Sequence, residues 1–280
     1  MKQKIGSRIL IFLIFFVGLS LLLYPMISNW WNQRRSDALI DSYVQQTAQI
    51  SQTDLQQYWK QAQAYNQTLP GKGVPDAFAD TTPEEDADYL SQLNFREDGI
   101  MAYLKIPKIS VSLPIYHTTK EEVMEKGVGH LQGSALPVGG ANTHCVLSTH
   151  RGLPTAALFT DLDQLVIGNH FYIYVLDQVL AYEVDQIKVV EPDDTQDLNV
   201  QAGQDLVTLV TCTPYGVNTQ RLLVRGHRVP YEARTAQTEA DNKAASIHTR
   251  YGLWAAGGIA VTVIFVLGLR LYFRRKEKQN

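Results

Sequence analysis

Asp205-Leu-Val-Thr-Leu-Val-Thr-Cys-Thr-Pro-Tyr-Gly-Val-Asn-Thr-Gln-Arg-Leu-Leu-Val-Arg225 holds two apolar, β-branched runs on either side of a polar turn. Such runs read as strands, and the Thr213-Pro214 dipeptide ends the first because proline cannot donate to a ladder. Cys212 therefore closes one strand, and Arg221 opens the next after the loop 213–220. If the two strands are antiparallel neighbours, their facing ends set Cys212 beside Arg221.

Working outward, further short runs rich in β-branched and aromatic residues occur at 101–107, 111–116, 145–148, 171–176, 180–184 and 187–190. No long helical pattern separates them, which predicts an all-β barrel or sandwich of about eight strands over 99–230. The two cysteines, Cys145 and Cys212, are too few for a disulfide-stapled scaffold, so an apolar core has to hold the domain.

The run at 145–150 brings a histidine. Strand alternation sends Cys145, Leu147 and Thr149 to one face and Val146, Ser148 and His150 to the other. A Cys212 that meets His150 then does not meet Cys145, which is expected to be a buried, unreactive thiol. A thiol at a strand end, an imidazole to move protons and a guanidinium to favour thiolate and hold an oxyanion make up a cysteine acyl-transfer site. Taken singly, each has an ordinary structural use as a small buried hydrophobe, a hydrogen-bonded histidine or a solvated charge. The other histidines show no metal-ligand spacing, and no metal or cofactor is expected.

The flanks divide the chain further. Residues 1–8 are basic, and 9–30 form an apolar segment long enough to cross a bilayer. It reads as an uncleaved anchor, since no small-x-small pattern follows and the Trp30-Trp31 pair suits an interface; a cleaved signal peptide is the alternative. A helical pattern covers 34–69, where Leu55, Tyr58, Trp59, Ala62 and Tyr65 share a face behind a Thr53/Gln56 capping box. Residues 70–98 read as an acidic loop with glycine and proline, 231–250 as a linker, 251–273 as a second membrane helix and 274–280 as a basic tail. The positive-inside rule places both ends in the cytoplasm and the body outside the cell. With a formal net charge of −3 and no basic stripe on the central domain, nucleic-acid binding has no support.

The blocks Leu-Ser-Thr-His-Arg-Gly-Leu-Pro (147–154), Thr-Leu-Val-Thr-Cys-Thr-Pro-Tyr-Gly (208–216) and Asn-Thr-Gln-Arg-Leu-Leu-Val-Arg-Gly-His-Arg (218–228) resemble those of sortases, specifically the class C, pilus-assembling group. The resemblance covers roughly 75–230. It implies a closed sortase β-barrel with Cys212 as nucleophile, His150 as general acid/base and Arg221 as the group holding substrate carbonyl and oxyanion. It also implies transpeptidation, in which a Leu-Pro-x-Thr-Gly-like signal is cut between Thr and Gly through a thioacyl-enzyme and passed to a pilin lysine amine. The expected partners are pilins or surface proteins with a C-terminal sorting signal.

Class C relatives often carry a lid with an Asp-Pro-aromatic motif. Here Asp76-Ala77-Phe78 matches its ends and has alanine in the middle, so Asp76 is expected to pair with Arg221 and Phe78 to cover the thiol. Three other readings stay open: a sortase that attaches proteins to peptidoglycan, a papain-like hydrolase whose usual Cys-before-His order is reversed here, and a membrane-tethered binding domain.

Overall fold

A computed structural model describes residues 2–69, 73–79, 86–233 and 258, with backbone alone for 2–11. Eight strands close into one barrel: β1 (Ile100–Ile106), β2 (Val111–His117), β3 (Val128–His130), β4 (Thr143–Ser148), β5 (His170–Val175), β6 (Gln178–Val190), β7 (Asp205–Thr213) and β8 (Gln220–Val229). Their order around the barrel is β1-β2-β3-β4-β7-β8-β6-β5, and the β5/β1 pairing closes it. Two neighbouring pairs are parallel, β2/β3 and β4/β7.

The expected strand number holds through two compensating departures. The runs 180–184 and 187–190 are one long strand, β6, because a bulge between Val184 and Gln186 absorbs Asp185, which reads in sequence as a turn. Its carboxylate meets Arg225 of β8 at 2.9 Å. In exchange β3 appears, a strand of three residues whose Val-Gly-His is too short to show alternation.

Alternation along β4, β7 and β8 separates inside from outside. Cys145, Leu147, Val207, Leu209, Leu222 and Val224 belong to the main core. Val146, Val210 and Leu223 face outward and pack with Val74, Ala77, Leu131 and Leu198 in a second apolar cluster, against which Phe78 rests. Residues 73–79 thus lie as a strap over the outer face of these strands.

The N-terminal part corrects the expected division at 30 and 34. A single helix, α1 (Lys2–Thr47), runs through the apolar segment and on into the domain. Within it Phe12–Thr47 is long and apolar enough to cross a membrane. Its polar part is fixed to the barrel: Ser28 Oγ and Asn32 Nδ2 donate to the carbonyl of Thr155 at 3.0 and 2.7 Å, and Ala157 N–H donates to Asn29 Oδ1 at 2.8 Å. Further along, the buried Tyr43 hydroxyl donates to Met101 O and accepts from Leu176 N–H. A break at 48–51 precedes α2 (Gln52–Thr68). Its N-cap is Ser51, whose side chain accepts from Asp54 N–H, in place of the Thr53/Gln56 box; a box two residues later would have to follow a turn already made. The apolar face buries Leu55, Ala62 and Tyr65.

The stretch 70–98 is not all loop. Asp86 caps α3 (Ala87–Ser91), which carries the fully buried Tyr89 to the His130 ring, hydroxyl to Nδ1 at 2.9 Å. A last short helix, α4 (Glu121–Met124), links β2 to β3. The second apolar run (251–269, Gly258 excepted), most of the 231–250 linker and the basic tail lie outside the described residues.

Candidate active site

β7 and β8 pair antiparallel with Cys212 opposite Arg221, so the register alone brings thiol and guanidinium together. Arg221 Nη1 lies 3.6 Å from the Cys212 sulfur. Both side chains share the outward face of Val210 and Leu223, two residues earlier and later on their strands.

His150 arrives by the parallel β4/β7 ladder, which aligns Thr143 with Asp205 and Ser148 with Val210. Continued past the last rung, that register sets His150 level with Cys212. Thr149 N–H donates to Val210 O at 3.3 Å, and Thr211 Oγ1 donates to Thr149 O at 2.8 Å, so the strands stay aligned beyond the formal ladder. Cys145 sits on the inner face, and both cysteines are free thiols.

The strap covers this corner. Asp76 grips Arg221 with both oxygens, Nε to Oδ1 at 2.9 Å and Nη2 to Oδ2 at 2.6 Å. The two side chains are only 14 % and 11 % exposed, which makes this a largely desolvated, bidentate pair. The Phe78 ring lies 5.0 Å from the Arg221 guanidinium and 5.8 Å from the His150 ring. Upstream, Gly73 N–H donates to Asn199 Oδ1 at 3.0 Å. Under this strap Cys212 is 8 % exposed.

The electrostatics follow from that cover. Burial pushes the Cys212 thiol up, the Arg221 charge pulls it down, and Asp76 and Glu121 push it up again, for a net rise. Arg221 is itself raised, chiefly by its hydrogen bonds to Asp76. In the strapped state the thiol therefore stays protonated, and the cation that would favour thiolate is occupied by a carboxylate.

Two neighbours escaped the sequence reading. Glu121 of α4 brings Oε1 within 3.1 Å of His150 Nε2. The approach is badly angled: Nε2 is buried without a hydrogen bond, and the glutamate is 70 % exposed, so the contact is a weak one. Nothing in Lys120-Glu121-Glu122 marks it; the contact exists because Thr149 Oγ1 bonds to Gly127 O at 2.6 Å and draws the α4 connection over the end of β4. The second is Arg151, next to His150 inside a quoted motif, its side chain largely covered and all three guanidinium nitrogens bonded.

Residues 104–229 match the sortase domain family. Sortase C1 from Streptococcus agalactiae is 47 % identical, with a TM-score of 0.65 over 70 % of this chain and 100 % of that one. Sortase C from Streptococcus pneumoniae is 44 % identical, with a TM-score of 0.65 over 70 % of this chain and 98 % of that one. The chain belongs to the sortase family. Sortase D of Bacillus subtilis (strain 168) is 33 % identical over 129 residues, 45 % of this chain and 62 % of that protein, so this sortase spans less than two thirds of that curated relative.

Proposed function

We propose that this sortase is a class C cysteine transpeptidase that polymerises pilins, with Cys212 as nucleophile, His150 as general acid/base and Arg221 as carbonyl and oxyanion holder. The carrying observation is the meeting of these three groups on one outer corner of the barrel, under a strap latched on Arg221. The likeness to sortase C structures, one of them described as concerning pilin substrate specificity, supports the substrate class.

In this reading Asp76 and Phe78 form a lid that leaves before a substrate binds. The freed guanidinium then takes the Thr carbonyl of a Leu-Pro-x-Thr-Gly-like signal, and the Cys212 sulfur adds to that carbon as its proton passes to His150. Collapse of the tetrahedral intermediate breaks the Thr–Gly bond as His150 protonates the departing glycine amine. A lysine ε-amine then attacks the thioester, its proton passes through His150 to the departing Cys212 sulfur, and the thiol and neutral imidazole are regenerated. The apolar first half of α1 anchors the enzyme, the segment 251–273 supplies a second span, and the barrel faces outward.

The test incubates the full chain in detergent with a purified pilin and looks for a covalent ladder. The proposal expects isopeptide-linked multimers with the wild type and none with Cys212→Ala. A ladder that persists in Cys212→Ala would leave only a binding role, and transfer to a peptidoglycan stem amine but never to pilin would mark a wall-anchoring enzyme.

A further inference from the structure

The β4/β7 ladder ends at Ser148 and Val210, two residues short of the pair that the proposed chemistry needs in register. The bonds of Thr149 with Val210 and Thr211 carry the alignment part of the way, and Arg151 carries it past the pair. Its Nη1 donates to Thr213 Oγ1 at 3.1 Å, and Thr213 follows Cys212 as Arg151 follows His150. Its Nε donates to Thr160 O at 3.2 Å, and its Nη2 pairs with Asp163. The side chain is only 9 % exposed. A planar fork with one arm fixed to the end of β7 and two to the loop 160–163 ties those two segments together in one geometry.

Gly152 turns away with φ +81°, and its N–H bonds to Thr160 Oγ1. His150 itself is held by its carbonyl, which accepts from Phe159 N–H at 3.2 Å, and that segment belongs to the same loop that Arg151 braces. We infer that Arg151 is a positioning residue: by bonding Thr213 it extends the parallel register one step past the reacting pair and fixes His150 at the height of the Cys212 sulfur. The inference rests on the transpeptidase reading for its consequence in turnover and on geometry alone for its consequence in thiol reactivity.

The experiment uses the full chain in detergent and follows alkylation of Cys212 by iodoacetamide against pH in the wild type, His150→Ala, Arg151→Ala, Thr213→Val and Thr213→Ser. Cys212 also senses Arg221, Asp76 and Glu121, all unchanged across this set. Arg151→Ala and Thr213→Val are expected to lose the histidine-linked step of the profile, as His150→Ala does, while Thr213→Ser keeps it. With a sorting-signal peptide, turnover per titratable thiol falls about 100-fold in Arg151→Ala with KM within twofold, the cost of misplacing a catalytic group by about 1 Å. Thr213→Val, nearly isosteric, guards against a fold that fails in Arg151→Ala. A wild-type profile retained by both Arg151→Ala and Thr213→Val overturns the inference and leaves Arg151 a loop brace. Wild-type chain that never turns over the peptide, while the variants still track His150→Ala in alkylation, overturns the transpeptidase reading and leaves the positioning role standing.

Discussion

Cys145 and Cys212 stand on neighbouring strands of one barrel, and the face each points to separates a core thiol from the one on which the proposed chemistry rests. Cys145 on β4 lies in the main core, where burial drives its thiol well above the ordinary range and Asp205 adds to the rise. Cys212 on β7 is also raised by burial, but a guanidinium at 3.6 Å opposes the rise, and the cover over it is a strap and not the barrel wall. A permanent wall makes a thiol inert, whereas a removable one makes it conditional.

The largest effect that sharpens this contrast is Cys212→Ala, expected to lower transfer of a sorting-signal peptide by at least about 10⁴-fold, as loss of a nucleophile does. Cys145→Ala is expected to leave the rate within twofold in the same assay. Equal losses in the two variants would erase the distinction.

Asp76→Ala tests whether the cover is removable. Hydrogen bonds to charged groups are worth about 1.5–3 kcal/mol, so loss of the latch predicts roughly a 10- to 100-fold faster alkylation of Cys212. The sign of the pH effect follows from the causes: removing Asp76 deletes a contribution that raises the thiol and frees Arg221, which lowers it. The pH profile of alkylation therefore moves to lower pH. A faster reaction with an unmoved profile would mean that access alone had changed. Phe78→Ala removes only the ring over Arg221, a cation–π contact worth about 0.5–1 kcal/mol, and predicts an increase of about two- to fivefold.

The smallest effect concerns the inner thiol. Cys145→Ala removes one buried sulfur and predicts a loss of about 1 kcal/mol, read as a melting temperature about 2–4 °C lower. No change would show that the inner face at Cys145 is loosely packed.

How much of this could be read in the sequence depended on whether local alternation or distant packing decided the point. The opposition of Cys145 to His150 was legible because β4 is regular, and the Cys212–Arg221 pairing because one turn joins their strands. The partnership of Asp76 with Arg221 across 145 positions was legible through the family's lid motif, despite Ala77 where the motif has proline. The Asp185 bulge mimicked a turn and split β6, while β3 was too short and glycine-broken to show a period. Acidic residues hid α3, whose Tyr89 is buried only because His130 waits inside the fold. The contact of Glu121 with His150 and the bond of Arg151 to Thr213 depend on segments far apart in the chain, and no local pattern encodes them.

The most direct measurement traps the acyl-enzyme formed with a sorting-signal peptide and locates the adduct by mass spectrometry in the wild-type and Asp76→Ala chains. A thioester on Cys212 alone, accumulating faster when Asp76 is absent, is the predicted result. An adduct on Cys145, or none on Cys212 even with the strap unlatched, would contradict it.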